Sequence, residues 1–103
     1  MATVTCTWLG NEFHVDLHTA NWKDVPGIYI FSGLNQQNQW RPLYVGQTDS
    51  LAVRLPTHER WQEAVRLGAT RIHARVVPAA ATRDALERQL VQTYQPPLNT
   101  LLK

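Results

Sequence analysis

Two stretches near the N-terminus alternate between apolar and polar residues. They cover Thr3–Leu9 and Glu12–Leu17, and they flank the pair Gly10-Asn11. A period of two is typical of strands with one buried face, because successive side chains point to opposite faces of a sheet. A glycine and an asparagine between two such stretches favour a two-residue turn. The pattern therefore predicts an N-terminal β-hairpin, within a segment that we delimit as residues 1–24.

The next two stretches predict neighbouring strands of a central sheet. Gly27–Phe31 and Arg41–Gln47 are rich in β-branched and aromatic residues, which fit the pleated surface of a sheet. The segment Ser32–Gln39 between them is polar, and we expect it to form a loop. The second strand should then pair back onto the first.

A third central strand is predicted at Arg71–Val77, where the alternation is most regular. Aliphatic side chains share one face of this strand. Basic side chains share the other face, and they are Arg71, His73 and Arg75. We expect this strand to present a basic face.

A helical region is predicted between the second and third strands. Asp49 or Ser50 can act as its N-cap, because a short oxygen-bearing side chain accepts hydrogen bonds from free backbone N–H groups. Pro56 must kink or restart the helix, since proline lacks an N–H and clashes with the preceding turn. The second part of the region covers about residues 57–67 and stops at Gly68.

The last predicted helix begins near Thr82, ends before Pro96-Pro97, and carries a carboxylate within its apolar stripe. A rotation of about 100° per residue places Glu87 among apolar neighbours. These neighbours are Leu86, Leu90, Val91 and Tyr94. A carboxylate that faces a core is costly unless it is paired or binds a cation. Two interpretations stay open: an ion pair with Arg83 one turn earlier, or a metal ligand at the edge of a cleft.

The element order is hairpin, strand, strand, helix, strand, helix. It predicts an α+β fold, with a central, mainly antiparallel β-sheet flanked by helices. A chain of 103 residues has about the length of one ordinary domain, and we expect a single domain over residues 1–103.

Composition bears on the cellular compartment. Hydrophobic residues make up 44% of the chain and charged residues 17%, which is typical of globular proteins. No segment is long and apolar enough for a membrane span, and the first residues, Met1-Ala2-Thr3-Val4-Thr5, lack the basic start and the apolar core that we would expect of an export signal. The lone Cys6 excludes an internal disulfide and fits a reducing compartment. These features predict a cytoplasmic protein without a membrane partner.

The formal net charge of +2 is unevenly distributed. Residues 1–40 carry one lysine against three acidic residues, whereas residues 41–103 carry eight arginines and Lys103 against five acidic residues. Arginine can contact phosphate through two parallel hydrogen bonds. The basic part of the chain therefore suggests a nucleic-acid partner, although a solvated surface is the commoner reason for scattered arginines.

Four side chains are candidates for proton transfer or phosphate binding. Tyr29 and Tyr44 lie on the two predicted neighbouring strands. Strand tyrosines usually pack in a core, but a phenol can transfer a proton if its surroundings lower a pKa near 10. Arg54 and His58 share a helical face if Pro56 only bends the helix, and together they would supply a fixed cation and a titratable group.

The order of these residues along the chain closely resembles the GIY-YIG nuclease family. The matching segments are Gly27-Ile28-Tyr29, Tyr44-Val45-Gly46-Gln47-Thr48, Arg54, His58, Glu87 and Pro96-Pro97-Leu98-Asn99. They lie within residues 25–100, which form the motif-bearing core. The family includes homing endonucleases, repair excinuclease domains and some restriction enzymes. The resemblance therefore implies a metal-dependent endonuclease that hydrolyses phosphodiester bonds of nucleic acid, DNA more than RNA.

The resemblance also implies a role for each matched residue. Glu87 is expected to bind one divalent metal ion, Mg²⁺ or Mn²⁺, and Arg54 to bind phosphate. Tyr29 is expected to be the general base, with His58 as its proton acceptor and Tyr44 as a positioning partner. Asn99 matches the asparagine that closes the motif set. The predicted catalytic residues are therefore Tyr29, Tyr44, Arg54, His58, Glu87 and Asn99.

Three further residues are predicted to contact substrate: Gln47, Arg71 and Arg75. Gln47 stands where other family members often carry lysine, so a fixed cation is missing there. A homodimer or a partner protein is left open as a source of specificity. The rival hypothesis is a module on the same fold that binds nucleic acid or protein without cutting.

A second metal-site pattern, His14, Asp16 and His18, lies on one face of the predicted hairpin. No fourth ligand is evident in the sequence. We therefore interpret these residues as an exposed polar face rather than as a metal site.

Overall fold

The computed structural model describes residues 4–100 of the chain. Its centre is a five-stranded sheet in the order β1-β2-β5-β3-β4, in which every neighbouring pair is antiparallel. The strands are β1 (Thr5–Trp8), β2 (Asn11–Asp16), β3 (Gly27–Leu34), β4 (Trp40–Thr48) and β5 (Arg71–Val76). The predicted α+β fold with a mainly antiparallel sheet is confirmed.

Helices cover both faces of this sheet. They are α1 (Leu51–Arg54), a 3₁₀ turn (Leu55–Thr57), α2 (Trp61–Arg66), α3 (Ala80–Tyr94) and α4 (Pro97–Thr100). Among residues 4–100, none of the helices is long and apolar enough to cross a membrane. The cytoplasmic location and the domain boundaries stay predictions.

The sheet separates two apolar clusters, because successive strand residues point to opposite faces. On the first face, Tyr29 and Phe31 of β3 pack against Leu51, Leu55 and Trp61. We call this the α1/α2 face. On the other face, which we call the α3 face, the cluster contains Ile28, Ile30, Val45, Trp8, Phe13, Leu86 and Leu90. The N-terminal hairpin therefore contributes to the core beneath α3.

The hairpin turn lies one residue earlier than predicted. Leu9 and Gly10 form the turn with φ angles of 51° and 78°, and Trp8 pairs with Asn11. Two positive φ angles match a tight hairpin turn that follows the twist of the strands. The amide of Asn11 donates a hydrogen bond to the carbonyl oxygen of Leu9 (3.1 Å), so asparagine supports the turn from the first position of β2.

Strand β3 extends three residues into the predicted loop. The backbone of Ser32 pairs with Pro42, after a register shift that follows Phe31, and the carbonyl oxygen of Ser32 accepts a hydrogen bond from the N–H of Thr70 (2.9 Å). The turn between β3 and β4 is shorter than the predicted loop. Asn35 Oδ1 stabilises it by accepting hydrogen bonds from the backbone N–H groups of Gln37 and Gln39. The polar residues therefore predicted a loop that began three residues too early.

The helix boundaries also differ from the predictions. Ser50 is the N-cap of α1, and its Oγ accepts a hydrogen bond from the N–H of Val53 (3.2 Å). At Leu55 the chain passes into the 3₁₀ turn, which contains Pro56, and α2 begins only at Trp61 rather than near residue 57. Helix α3 begins at Ala80, two residues before the start that we predicted near Thr82, because the alanines there favour helix.

The predicted basic face of β5 is wrong at its centre. His73 is fully buried, its Nδ1 accepts a hydrogen bond from Trp8 Nε1 (2.9 Å), and burial lowers its pKa to about 4. Strand β5 lies between β2 and β3 and is covered on both faces. The alternation of aliphatic and basic residues therefore did not mean that the basic face is exposed to solvent. Arg71 and Arg75 remain partly exposed at the two ends of this strand.

Candidate active site

The two motif tyrosines lie on the α1/α2 face, beside the outer edge of the sheet. Tyr29 pairs with Gly46 across the β3–β4 ladder, and Phe31 pairs with Tyr44. The centres of the two phenol rings are 6.4 Å apart. The structure thus brings the two tyrosines together, as the neighbouring strands predicted.

Glycine at position 46 lets the Tyr29 ring lie across β4. A Cβ atom at this position would lie 2.5 Å from the hydroxyl oxygen and from Cζ of Tyr29, closer than such atoms ever approach. Any larger residue at Gly46 would therefore displace the phenol. The close approach explains physically why this motif needs glycine after Val45.

His58 contacts the Tyr29 hydroxyl from the segment that follows the 3₁₀ turn. Its Nε2 lies 2.8 Å from the phenol oxygen, and its Nδ1 accepts a hydrogen bond from the backbone N–H of Arg60 (3.0 Å). A neutral imidazole has one donor nitrogen and one acceptor nitrogen. Because Nδ1 accepts, the proton is on Nε2, and His58 donates to Tyr29.

The direction of this hydrogen bond does not fit the role predicted for His58. Burial, and then the charge of Arg54, lower the pKa of His58 to about 4, so the imidazole is neutral at pH 7. Its Nε2 already carries a proton and cannot take another from Tyr29. His58 is therefore suited to hold the phenol oxygen rather than to accept its proton.

Tyr29 and Tyr44 have pKa values above the ordinary value of a phenol. Burial is the main cause for both, the neighbouring tyrosine raises the pKa of Tyr29 further, and Arg54 opposes the shift. Both phenols are consequently protonated at neutral pH. Hydrogen-bond donors or cations around the oxygen must stabilise a phenolate before either tyrosine can act as a base.

Arg54 is held by a carboxylate that the sequence did not point to. Its guanidinium makes two hydrogen bonds to Glu59, from Nη1 to Oε2 (2.7 Å) and from Nη2 to Oε1 (2.8 Å). The side chain of Glu59 is 66% exposed, whereas that of Arg54 is 37% exposed. The pair lies beside Tyr29, since Arg54 also interacts with the Tyr29 hydroxyl.

Glu87 lies on α3, and Gln47 of β4 bridges it to a second carboxylate. The amide of Gln47 donates hydrogen bonds to Glu87 Oε1 (3.3 Å) and to Asp84 Oδ1 (2.5 Å). Burial raises the pKa of Glu87, the Gln47 amide lowers it, and the negative charge of Asp84 raises it again. Gln47 therefore contacts the predicted metal ligand, and its contact with substrate stays a prediction.

The alternative in which Arg83 neutralises Glu87 is not adopted. The buried guanidinium of Arg83 donates to the carbonyl oxygens of Val77 and Pro78, to Gln47 Oε1 and to Asp49 Oδ1. Within residues 4–100, no lysine, arginine or histidine nitrogen lies within 4.0 Å of the Glu87 carboxylate. A half-buried carboxylate thus lies at the site without a cationic partner in the described part of the chain.

The donor chemistry of this edge fits a hard divalent cation. Glu87 and Asp84 supply carboxylate oxygens, which Mg²⁺ prefers, and a site with one or two carboxylates leaves the other coordination positions to water. No group of three or more His, Cys, Asp or Glu residues is arranged to hold a metal within residues 4–100. The residues present therefore fit a mostly hydrated ion and not a cage made only of protein ligands.

The hairpin pattern of His14, Asp16 and His18 does not form a shared site. His14 and Asp16 contact each other at 3.2 Å, whereas His18 Nε2 contacts the carbonyl oxygen of Leu55 (3.0 Å). His18 also stacks on Trp61. The contacts of His18 thus differ from those of the His14–Asp16 pair.

Asn99 lies on α4 and pairs with the backbone of β4. Its Oδ1 accepts from the N–H of Val45 and its Nδ2 donates to the carbonyl oxygen of Val45, both at 2.8 Å. Because β4 is an edge strand, this side chain takes the place that a neighbouring strand would occupy. The described contacts of Asn99 thus position β4 and do not reach the phenols.

Arg71 and Arg75 are not brought to this edge. They lie on β5, which β3 separates from β4. Arg75 donates to the carbonyl oxygen of Glu12 (3.0 Å), and Arg71 donates to that of Thr70 (2.8 Å). Their predicted contact with substrate stays a prediction.

Two acidic site residues were missed by the sequence analysis. Asp84 lies three residues before Glu87 on the same helix, so helical spacing could have indicated that the two carboxylates are neighbours. Glu59 contacts Arg54 only because the 3₁₀ turn bends the chain between them. No sequence pattern could have shown this second contact.

Comparison with known proteins relates the chain to UvrC proteins. No profile of a known protein family matches the chain. UvrABC system protein C from Methanothermobacter thermautotrophicus is 33% identical over 85 residues, which cover 78% of this chain and 14% of that protein. The chain thus spans about a seventh of the length of this curated relative.

Solved structures give a similar result at the level of the fold. The GIY-YIG N-terminal endonuclease domain of UvrC from Thermotoga maritima, bound to its catalytic magnesium, has a TM-score of 0.59 and 26% identity, covering 74% of this chain and 84% of that one. A point mutant of the same domain, bound to its catalytic divalent cation, has a TM-score of 0.60 and 26% identity, covering 74% and 83%.

Proposed function

Since the chain forms a GIY-YIG nuclease-like domain, we propose that it is an endonuclease that hydrolyses phosphodiester bonds in nucleic acid, DNA in preference to RNA, with one divalent cation. One observation carries this proposal. The Glu87 carboxylate has no cationic partner in the described residues, and, in addition to burial, its negative charge raises the pKa of Tyr29 and Tyr44, the two phenols on which Arg54 also acts. A module that only binds would have no use for this costly carboxylate.

Two side chains would stabilise the negative charge that develops during hydrolysis. Arg54 would bind non-bridging phosphate oxygens and stabilise the charge that develops on them. Glu87 would hold the Mg²⁺ or Mn²⁺ ion together with water. When bound, this cation supplies Lewis-acid stabilisation of the reacting phosphate.

Tyr29 is our candidate for the general base that takes a proton from the attacking water. Its phenolate would accept hydrogen bonds from His58 Nε2–H and from Arg54, the two donors that face its oxygen. These donors offset the burial that raises the pKa of Tyr29. Tyr44 would pack against the Tyr29 ring and keep both this ring and the substrate in place. Asn99 would hold β4, the strand that carries Tyr44, through its hydrogen bonds with Val45.

Substrate specificity requires more surface than this edge provides. Arg71 and Arg75 are proposed phosphate contacts for a longer nucleic acid, and a second copy or a partner protein is a proposed source of selectivity. Nucleic-acid binding of this kind depends strongly on salt, because counterions are released when arginines neutralise phosphates.

Cleavage of supercoiled plasmid tests the proposed function. We expect nicked and linear products with Mg²⁺ or Mn²⁺, and no product when EDTA is present. Parallel incubation with single-stranded RNA would show whether DNA is preferred. Tight binding of plasmid without cleavage in either metal would instead favour the non-cleaving module.

A further inference from the structure

In the free protein, two N–H donors of the Arg54 guanidinium bind a carboxylate. Both Glu59 oxygens meet the guanidinium in two near-parallel hydrogen bonds of 2.7 and 2.8 Å. This is also the geometry in which arginine binds two oxygens of a phosphate. A substrate phosphate and the Glu59 carboxylate therefore require the same donors on Arg54.

We propose that Glu59 occupies the phosphate subsite in the free protein and leaves Arg54 when nucleic acid binds, so that it acts as an internal competitor that sets substrate affinity. The inference rests on the proposed function, because it assigns to Arg54 the phosphate of a nucleic-acid substrate. Its ligand class is a phosphodiester, with inorganic phosphate as the minimal analogue.

The surroundings of Glu59 permit such an exchange. Its side chain is 66% exposed and lies in a turn between the 3₁₀ turn and α2, so it can move without breaking a helix. Arg54 is less exposed and interacts with Tyr29, which keeps the guanidinium at the site when Glu59 leaves. The remaining neighbour, His58 Nδ1, lies 4.0 Å from Glu59 Oε2 and already accepts the N–H of Arg60.

Only an anion can displace this carboxylate at ordinary pH. The hydrogen bonds from Arg54 lower the pKa of Glu59 to about 2, so its carboxylate is ionised at neutral pH. A substrate that offers several phosphates can replace the carboxylate at low concentration, whereas inorganic phosphate binds more weakly and must be present at a higher concentration.

A different role for Glu59 makes the opposite prediction. If Glu59 positioned Arg54 for catalysis, its removal would lower kcat because the guanidinium would lose its orientation. If Glu59 competes with substrate, its removal lowers KM and leaves kcat nearly unchanged. The two kinetic constants therefore separate a competitor from a positioning residue.

Glu59→Gln and Glu63→Gln form a matched pair of variants. Glu63 makes an ion pair with Arg60 at 2.7 Å on the same segment, so its substitution removes the same charge without touching Arg54. We expect Glu59→Gln to lower KM for a duplex substrate, and Kd without metal, by roughly threefold, the size expected from an exposed ion pair. Glu63→Gln should change either constant by less than half as much.

Binding of inorganic phosphate gives a readout that does not depend on cleavage. Phosphate titration followed by the NMR signal of the Arg54 side-chain N–H should show tighter binding in Glu59→Gln than in the parent and in Glu63→Gln. If the protein never cuts but this difference is found, the internal competitor stands and the proposed function falls. If the protein cuts, and Glu59→Gln either behaves like Glu63→Gln or loses kcat, the competitor is overturned.

Discussion

At the scale of single residues, the tautomer of His58 decides how the Tyr29 phenol can be activated. The N–H of Arg60 fixes the imidazole with its proton on Nε2, and that proton points at the phenol oxygen. The same side chain could have been a base in another backbone setting. Its role is therefore determined by one backbone hydrogen bond.

Replacement of His58 by glutamine or by phenylalanine should give different rates. Glutamine can still donate an N–H to Tyr29, whereas phenylalanine cannot. A hydrogen bond to a charged oxygen contributes about 1.5–3 kcal/mol, so we expect kcat to fall by roughly 10–100-fold more in His58→Phe than in His58→Gln. Equal losses in single-turnover assays of the two variants would contradict a role for His58 as hydrogen-bond donor to Tyr29.

The pH dependence of cleavage should reflect Tyr29 and not His58. Burial raises the pKa of Tyr29 above its ordinary value, so the reactive phenolate is a minor species at neutral pH and becomes more abundant as pH rises. We expect kcat/KM to increase by up to about tenfold per pH unit between pH 6 and 9. His58 has a pKa of about 4 and should add no inflection between pH 6 and 7. A plateau that begins near pH 7 would contradict this assignment.

At the scale of elements, two side chains attach segments to the sheet from a distance in sequence. Trp8 of β1 donates to the buried His73 of β5, and Asn99 of α4 pairs with β4. The first contact ties the hairpin to the core, and the second completes an open sheet edge. Both can be tested separately from catalysis.

Acid should destabilise the protein through His73. Its pKa is lowered from 6.5 to about 4 in the folded protein, so the unfolded chain binds the proton first as pH falls. Above pH 6.5 the imidazole is neutral in both the folded and the unfolded chain, so it does not change stability. Between pH 6.5 and 4 only the unfolded chain binds the proton, and the free energy of unfolding decreases by about 3 kcal/mol. Urea unfolding at several pH values should show a shallower decrease for His73→Gln, whereas the exposed His14→Gln should follow the parent protein. Equal slopes for all three proteins would contradict the buried neutral state of His73.

Removal of the Asn99 side chain should affect both stability and activity. Asn99→Ala leaves the N–H and the carbonyl group of Val45 without their partner, and we expect a loss of about 1–3 kcal/mol in the free energy of unfolding. At a temperature where the variant is fully folded, kcat should still be lower, because β4 carries Tyr44 and Gly46. Normal kcat with reduced stability would limit Asn99 to a structural role.

At the scale of the whole molecule, the sequence predicted what depends on local order. Strands β3, β4 and β5, the break at Pro56 and the apolar stripe around Glu87 all follow from residue spacing. The sequence motifs also predicted that the two tyrosines lie close together. The structure places them on one face of two neighbouring strands.

The features that were missed depend on contacts between distant segments. Burial of His73 involves Trp8 of the hairpin and Trp40 of β4, and the contact of Gln47 with Glu87 requires β4 and α3 to meet. Helix α4 was missed because Pro96-Pro97 ends one helix, while Pro97 also begins the next, where a missing N–H costs nothing. The direction of the His58 hydrogen bond depends on one backbone N–H that no pattern reveals.

The most direct test of the central claim is Glu87→Gln, assayed for cleavage, metal affinity and thermal unfolding together. Glutamine keeps the size of the side chain and removes the charge that a divalent ion needs, so Mg²⁺-dependent cleavage should fall by at least about 100-fold and Mg²⁺ binding by calorimetry should be lost. The melting temperature should stay the same or rise, because burial already disfavours the charged form of Glu87, and binding of nucleic acid without metal should persist. Glu63→Gln serves as the control for loss of one surface charge. A Glu87→Gln protein that cuts like the parent and melts at a clearly lower temperature would contradict the account, because Glu87 would then stabilise the fold and take no part in catalysis.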